Sequence, residues 1–199
     1  IMITDIIPLF AQNLICSNID IDNGRLLELL ERDIDIDESR DFYLTKSHEL
    51  HKIEEYDFLT VPLLEQVKQV FDEVYEYKDI EPYFTLMWGT CCKRYQKIHS
   101  HTHPNSFMSG VYYPMMNAAP IRFHHPSPST IVPNFRTGNL CNLRSFILNP
   151  QPSTMLLFPS ALQHETATVN EDVDRYSISF NIFLRGNIGG EPLSMLQLD

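Results

Sequence analysis

The chain has 199 residues and a formal net charge of −11, and no run of apolar residues is long enough to cross a bilayer as a helix. With 43% hydrophobic and 21% charged residues it has ordinary globular composition, and its acidity argues against a broad nucleic-acid surface. The four cysteines, Cys16, Cys91, Cys92 and Cys141, include no C-x-x-C spacing and make neither a disulfide framework nor a zinc ribbon, so a reducing cytoplasm is the expected location.

The opening residues, "IMITDIIPLF", lack the basic lead of a secretory leader and carry Asp5. Residues 6–16 read as a short strand and residues 23–33, "NGRLLELLERD", as a short helix. An acidic, irregular stretch follows to Asp57. The clearest helix comes next, over 60–78, "TVPLLEQVKQVFDEVYEYK". Leu63, Leu64, Val67, Val70, Phe71, Val74 and Tyr75 recur at i, i+3, i+4, i+7 and predict one apolar stripe packed on a sheet. Thr60 is the expected N-cap, with Pro62 in the first turn, where its missing N–H costs little.

After Glu81 the texture changes to short β-like runs near 83–97, 107–115, 120–124, 144–148, 154–159 and 173–184, separated by proline and polar turns. The turn-rich segment 125–139 reads as a surface loop or a lid. The whole predicts one α+β domain over 1–199, helix-rich in 1–81 and β-rich in 82–199. Its expected architecture is a double-sheet jelly roll with the helices on one face.

Charge is unevenly spread. Between Pro82 and His164 there is no Asp or Glu, while Lys93, Arg94, Lys97, Arg122, Arg136 and Arg144 fall in that window. Strand composition explains this as well as a pocket that receives anions does.

The stretch "HSHTHPNSFMSGVYY" places His99, His101 and His103 at every second position. On a strand they share one face, and two imidazoles separated by one residue can reach one metal ion. A further ligand must come from elsewhere. His164 in "LLFPSALQHE" is the candidate, 63 residues after His101 and therefore on another strand. Beyond it, Arg175, Ser177, Ser179 and Asn181 alternate with Tyr176, Ile178, Phe180 and Ile182. The apolar face belongs to a core. The polar face suits a ligand-filled cavity or an outer strand half in water, and spacing alone favours the second. His124 and His125 read as turn or rim residues, His48 and His51 as exposed, and Trp88 as core or pocket wall.

Together "HTHPNSFMSGVYY", "LLFPSALQHE" and "RYSISFN" resemble the 2-oxoglutarate and Fe(II)-dependent oxygenase superfamily. More closely they resemble its bacterial and phage prolyl-hydroxylase-like group, over about Trp88 to Phe183. The resemblance implies a double-stranded β-helix, that is, a cupin-like jelly roll with supporting N-terminal helices. It implies Fe(II) as metal, 2-oxoglutarate and O2 as cosubstrates, and hydroxylation of a C–H bond with release of succinate and CO2. The substrate implied is a peptidyl proline, another protein side chain or a small molecule, with no membrane or nucleic-acid partner. His101 and His164 match metal ligands, and Arg175 and Ser177 match the groups that hold the far carboxylate of 2-oxoglutarate. Tyr113 matches a tyrosine that bonds the cosubstrate, and Asn181 is placed in the same pocket.

His103 stands where the superfamily usually has a carboxylate. Three ligand sets stay open: His101, His103 and His164, which the spacing to "SGVYY" favours; His101 and His164 with His103 only supporting; or His99, His101 and His164. Two other functions also stay open. One is a three-histidine cupin-like dioxygenase that does not use 2-oxoglutarate. The other is a non-enzymatic jelly-roll module with a structural metal, to which Cys91 or Cys92 would contribute.

Overall fold

The computed structural model describes residues 11–116, 119–128, 130–139, 141–190 and 194–198. In chain order the elements are β1 (Ile15–Asn18), α1 (Asn23–Asp33), β2 (Ile34–Asp35), β3 (Tyr43–Thr45), α2 (Asp57–Glu73), β4 (Ile80–Cys92), β5 (Ile98–His101), β6 (Met108–Tyr113), β7 (Ile121–His124), β8 (Ser145–Leu148), β9 (Thr154–Pro159), β10 (His164–Thr166), β11 (Arg175–Ile188) and β12 (Leu196–Leu198). An eight-stranded sheet runs β1-β9-β6-β11-β4-β3-β2, with β12 added to the end of β11. A four-stranded sheet runs β5-β10-β7-β8.

Strand alternation assigns the two faces of the large sheet. On one face Phe84, Met87, Met108, Tyr112, Met155, Leu157, Ile178, Phe180 and Ile182 bury against α1 and α2. The helices contribute Leu26, Leu29, Leu30, Leu59, Leu63, Val67, Val70 and Phe71. On the other face Val111, Tyr113, Leu156 and Phe158 meet Ile121, Phe123 and Leu162 of the small-sheet side. The large sheet is thus buried on both sides, helices behind it and the small sheet in front.

Helix α1 falls on the expected residues. Asp22 caps it, its carboxylate accepting from the Arg25 N–H at 3.0 Å. Helix α2 begins earlier than expected, at Asp57 after Tyr56, and Thr60 is buried inside it rather than capping it. Two single 3₁₀ turns, Leu50–Lys52 and Glu54–Tyr56, feed it. Tyr56 is fully buried with its hydroxyl donating to Asp33 at 2.9 Å, and that tertiary anchor starts the helix where no side-chain cap exists. Pro62 therefore lies in the second turn and removes the donor due to the Phe58 carbonyl. Val74 is 56% exposed and leaves the stripe, because the helix ends at Glu73.

The acidic stretch 33–57 is more ordered than expected, since β2 and β3 extend the large sheet there. The first strand covers Ile15–Asn18 instead of 6–16, and residues 1–10 lie outside the described residues. No described helix is long and apolar enough to cross a membrane.

Gly110 pairs with Phe180 across β6 and β11, and an added Cβ would come within 2.2 Å of the Phe180 ring and 2.9 Å of the Leu156 carbonyl oxygen. Gly110→Ala should destabilise the protein by about 1–3 kcal/mol through overpacking. In urea unfolding, combining it with Phe180→Leu should cost less than the sum of the two single changes.

Candidate metal and cosubstrate site

Several strands and one turn build the site. His101 ends β5 and pairs directly with His164, the first residue of β10. His103 follows in the turn after β5, where its N–H donates to the Ser160 carbonyl at 3.0 Å. One potential ligand atom from each of these rings lies within 4.8 Å of the others. The ring centroids of His101 and His164 are 4.4 Å apart, and those of His103 and His164 are 5.1 Å apart and nearly parallel.

Orientation matters as much as proximity. Nδ1 of His101 lies 2.7 Å from the His99 carbonyl oxygen, and Nδ1 of His164 lies 2.9 Å from that of Leu162. A carbonyl accepts only, so both Nδ1 atoms carry the proton and both Nε2 atoms keep a lone pair. Nε2 of His103 lies 3.3 Å from Nε2 of His164. Two ring nitrogens this close, aimed at one point, fit a shared divalent cation that would displace the proton between them. Burial is the main force lowering the pKa of His103 to about 4 and of His164 to about 3, so both rings stay neutral and ligand-competent near pH 7.

His99 leaves this face, contrary to the alternation rule. His164 pairs with His101 while Thr166 pairs with Ile98, so β5 carries one extra residue opposite β10. This bulge turns Ile98 and His101 into the cavity and His99 outward, 59% exposed and 2.7 Å from Asp41. The cluster that could hold a metal ion among the described residues is His101, His103 and His164. Glu165 also points outward, accepting from Arg122 at 3.1 Å, so among the described residues no carboxylate joins the cluster.

A cavity of about 270 Å³ extends from the histidines between the two sheets. Trp88, Thr90, Ser177 and Ser179 line its large-sheet wall, and Ile121 and Thr166 the opposite wall. At the far end sits Arg175, 1% exposed, its guanidinium 5.5 Å from the Tyr113 ring centre and donating to Ser177 Oγ at 3.5 Å. The Tyr113 hydroxyl is buried without an ordinary hydrogen-bond partner. Burial raises the Tyr113 pKa and Arg175 opposes that rise. The polar face of β11 is therefore inside the cavity, not in water.

Asn181 is not in the cavity wall. It lies deeper, with Ser109 donating to its amide oxygen at 3.0 Å. The cysteines supply no ligand. Cys92 lies beside Arg175, and Cys91, on the other face, is raised to about 12, chiefly by burial. His125 holds a turn through Ser127, His124 sits 3.6 Å from Glu165, and His48 is exposed. His51 is only half-exposed, against Phe84. The described residues of 125–139 are exposed and none lines the cavity. The wall residues Thr90, Ile98 and Thr166 were not anticipated as site residues, because their facing depends on strand pairings that spacing alone does not fix.

Residues 86–181 match the family model described as "Putative 2OG-Fe(II) oxygenase". Over that span, just under half of the chain, the sequence is similar to the 2OG-Fe(II) oxygenases. The cofactors of this class are Fe(II) and 2-oxoglutarate, and O2 is its cosubstrate. No curated protein matches the chain. Among solved structures, it resembles a 2OG-Fe(II) oxygenase-family oxidoreductase from Burkholderia pseudomallei, with a TM-score of 0.56, 15% identity, and 81% of this chain and 77% of that one covered. It also resembles a Trichoplax adhaerens prolyl hydroxylase in complex with a hypoxia inducible factor peptide fragment, with a TM-score of 0.60, 11% identity and coverages of 85% and 83%. A third is HygX from Streptomyces hygroscopicus with nickel, 2-oxoglutarate and hygromycin B bound, with a TM-score of 0.54, 13% identity and coverages of 86% and 82%. At these identities the likeness is one of fold. The oxygenase differs from the usual two-histidine, one-carboxylate site by its third histidine.

Because both buried rings have folded-state pKa values below the ordinary 6.5, the unfolded chain binds more protons as acid is added. The stability they leave intact above about pH 6.5 should be lost as pH falls toward 4 and 3. Urea midpoints of the metal-free oxygenase should decline over that window, and the decline should be shallower in His164→Gln.

Proposed function

We propose that the protein hydroxylates a C–H bond of an organic substrate, with His101, His103 and His164 holding Fe(II) and Arg175 and Ser177 anchoring 2-oxoglutarate. The observation that carries this reading is the cavity itself. Three imidazoles and a buried guanidinium line it, with the Tyr113 hydroxyl, which lacks an ordinary hydrogen-bond partner, beside the guanidinium. A dianion with a chelating end and a far carboxylate matches that polarity, and guanidinium suits the carboxylate. Tyr113 then donates to the same carboxylate. Bound together, iron, 2-oxoglutarate and O2 supply the oxidation, with succinate and CO2 as co-products. The protein's residues orient the cosubstrate and keep water out of the slot between the sheets.

Three neutral ligands leave the cation's charge uncompensated, so the anionic cosubstrate supplies what a carboxylate ligand supplies elsewhere. We read the two facing sheets as the two halves of a double-stranded β-helix, and the chain as one domain with α1 and α2 as its backing layer. The free buried cysteines are compatible with a reducing cytoplasm. The substrate is a peptidyl or other protein side chain, or a small molecule such as a glycoside, as the peptide and hygromycin B in the two neighbours suggest. One observation favours a second reading: the ligand cluster lacks a carboxylate, as in cupin-type dioxygenases that need no 2-oxoglutarate. Arg175 discriminates, since that chemistry has no need of it.

Anaerobic addition of Fe(II) and then 2-oxoglutarate should produce a visible metal-to-ligand charge-transfer band. His164→Ala should abolish it. Arg175→Ala should weaken 2-oxoglutarate binding by about 10- to 100-fold, the loss of a charged hydrogen-bonding partner. Tight metal binding with no band would reject the 2-oxoglutarate assignment in favour of the second reading.

A further inference from the structure

Leu44 and Trp88 line the cavity, and they also line a second, more open recess of about 180 Å³ whose other walls are Leu86 and His48. We propose that this recess seats one uncharged, apolar side chain of a polypeptide substrate and so selects which part of it comes to the metal. The inference deepens the oxygenase reading and rests on it for calling the polypeptide a substrate.

The register of β4 on β11 sets the order of groups. Cys92, Thr90, Trp88 and Leu86 pair in turn with Arg175, Ser177, Ser179 and Asn181. Four residues of β11, about 13 Å at the usual rise, therefore separate Arg175 from the level of Trp88. The Trp88 ring lies 5.9 Å from the His103 ring, so that histidine stands at the same level. Leu86 is two residues further from Arg175. A five-carbon dianion stretched from Arg175 to the histidines ends at Trp88 and leaves the recess to another molecule.

The recess follows from where β3 stops. Its last pair with β4 is Leu44 opposite Thr90. Beyond it the chain leaves the sheet, tied back by the Gly89 N–H donating to Thr45 Oγ1 at 3.0 Å and the Met87 N–H donating to the His48 carbonyl at 2.9 Å. Leu86 is left 40% exposed and Trp88 half-buried.

The lining fixes the chemistry of the occupant. It offers two leucines and an indole, with no Asp, Glu, Lys or Arg among them. An apolar group gains by leaving water there, and a charged one loses its hydration without a partner. The openness fixes its size class. Sites for free small molecules enclose most of the ligand. Here Leu86 and His48 are exposed, so the recess holds one group projecting from a larger molecule that lies outside. Among polymers, nucleic acid is disfavoured by the net charge of −11, and glycans carry few apolar groups. Polypeptides carry such groups as side chains.

Trp88 is the single tryptophan of the chain, so its emission reports on the recess. A random peptide library selected on immobilised, Ni(II)-loaded protein should yield peptides that share Leu, Ile, Val, Phe, Met or Pro at one position. Those peptides should shift the Trp88 emission on binding. Placing Lys at the shared position should weaken binding by about 10- to 100-fold, the cost of giving up one buried apolar side chain. Leu86→Asp, a change at an exposed position, should reverse that preference, so that the Lys version binds more tightly than the apolar one. A purely structural role for Leu86 would not exchange the two. The blocked residue N-acetyl-leucine amide should bind more weakly than the full peptide. Four results would overturn the proposal: no shared apolar position among selected peptides, binding that leaves the Trp88 emission unchanged, an apolar preference retained in Leu86→Asp, or N-acetyl-leucine amide binding as tightly as the peptide, which would mark a small-molecule site. None of these measurements uses 2-oxoglutarate or turnover. Peptides that pass them yet stay unaltered when Fe(II), 2-oxoglutarate and O2 are supplied would reject the oxygenase reading and not the recess.

Discussion

Strand β11 has to satisfy two incompatible surroundings at once, and the rest of the molecule is arranged around that demand. It runs between β4 and β6 at the middle of the large sheet. Tyr176, Ile178, Phe180 and Ile182 enter the apolar layer shared with α1 and α2. Arg175, Ser177 and Ser179 line the cavity in front, and Asn181 is buried more deeply on the same side. A buried guanidinium is tolerated only with partners, and the groups around it define what those partners are. Tyr113, Ser177 and Cys92 ring it within the protein.

The small sheet answers the same demand from the other side. Its β10 brings His164 opposite His101, and its β7 packs Phe123 against Phe158 beneath them. Phe158 also meets the His164 ring edge-on at 4.7 Å. The His164 ring is therefore held by packing on its apolar face and by a carbonyl on Nδ1, and a carbonyl on Nδ1 also orients His101. Burial keeps His103 and His164 neutral, which suits coordination and disfavours any role that needs an imidazolium.

Much of the site was readable before any coordinates. The H-x-H spacing, the return of His164 on a separate strand and the two-faced pattern of 175–182 each follow from elementary periodicity and chemistry. Other features were not readable. Strict alternation kept His99 in play, and a single extra residue in β5 removed it, because a bulge shifts every side chain on one side of it to the opposite face. Asn181 shares parity with Arg175, and the family resemblance implies a place for it in the same pocket. It sits too deep to reach the cavity, where the serines of β6 and of the turn after β9 engage it. Thr60 has the right chemistry for a cap, yet the anchoring of Tyr56 on Asp33 starts α2 one turn earlier.

By itself the sequence determined the composition of the site: which residue types are present, in what order, and which share a strand face. Those are local properties, fixed by backbone geometry over two to four residues. Only the tertiary structure decided which of them meet. The pairing of His101 with His164 spans 63 residues of sequence, the bulge exists only relative to a partner strand, and the hydrogen bonds among Asn181, Ser109, Ser160 and Ser106 close across three separate segments. Long-range register and the partners of buried polar groups are properties of the assembled sheets, and no window of the sequence contains them.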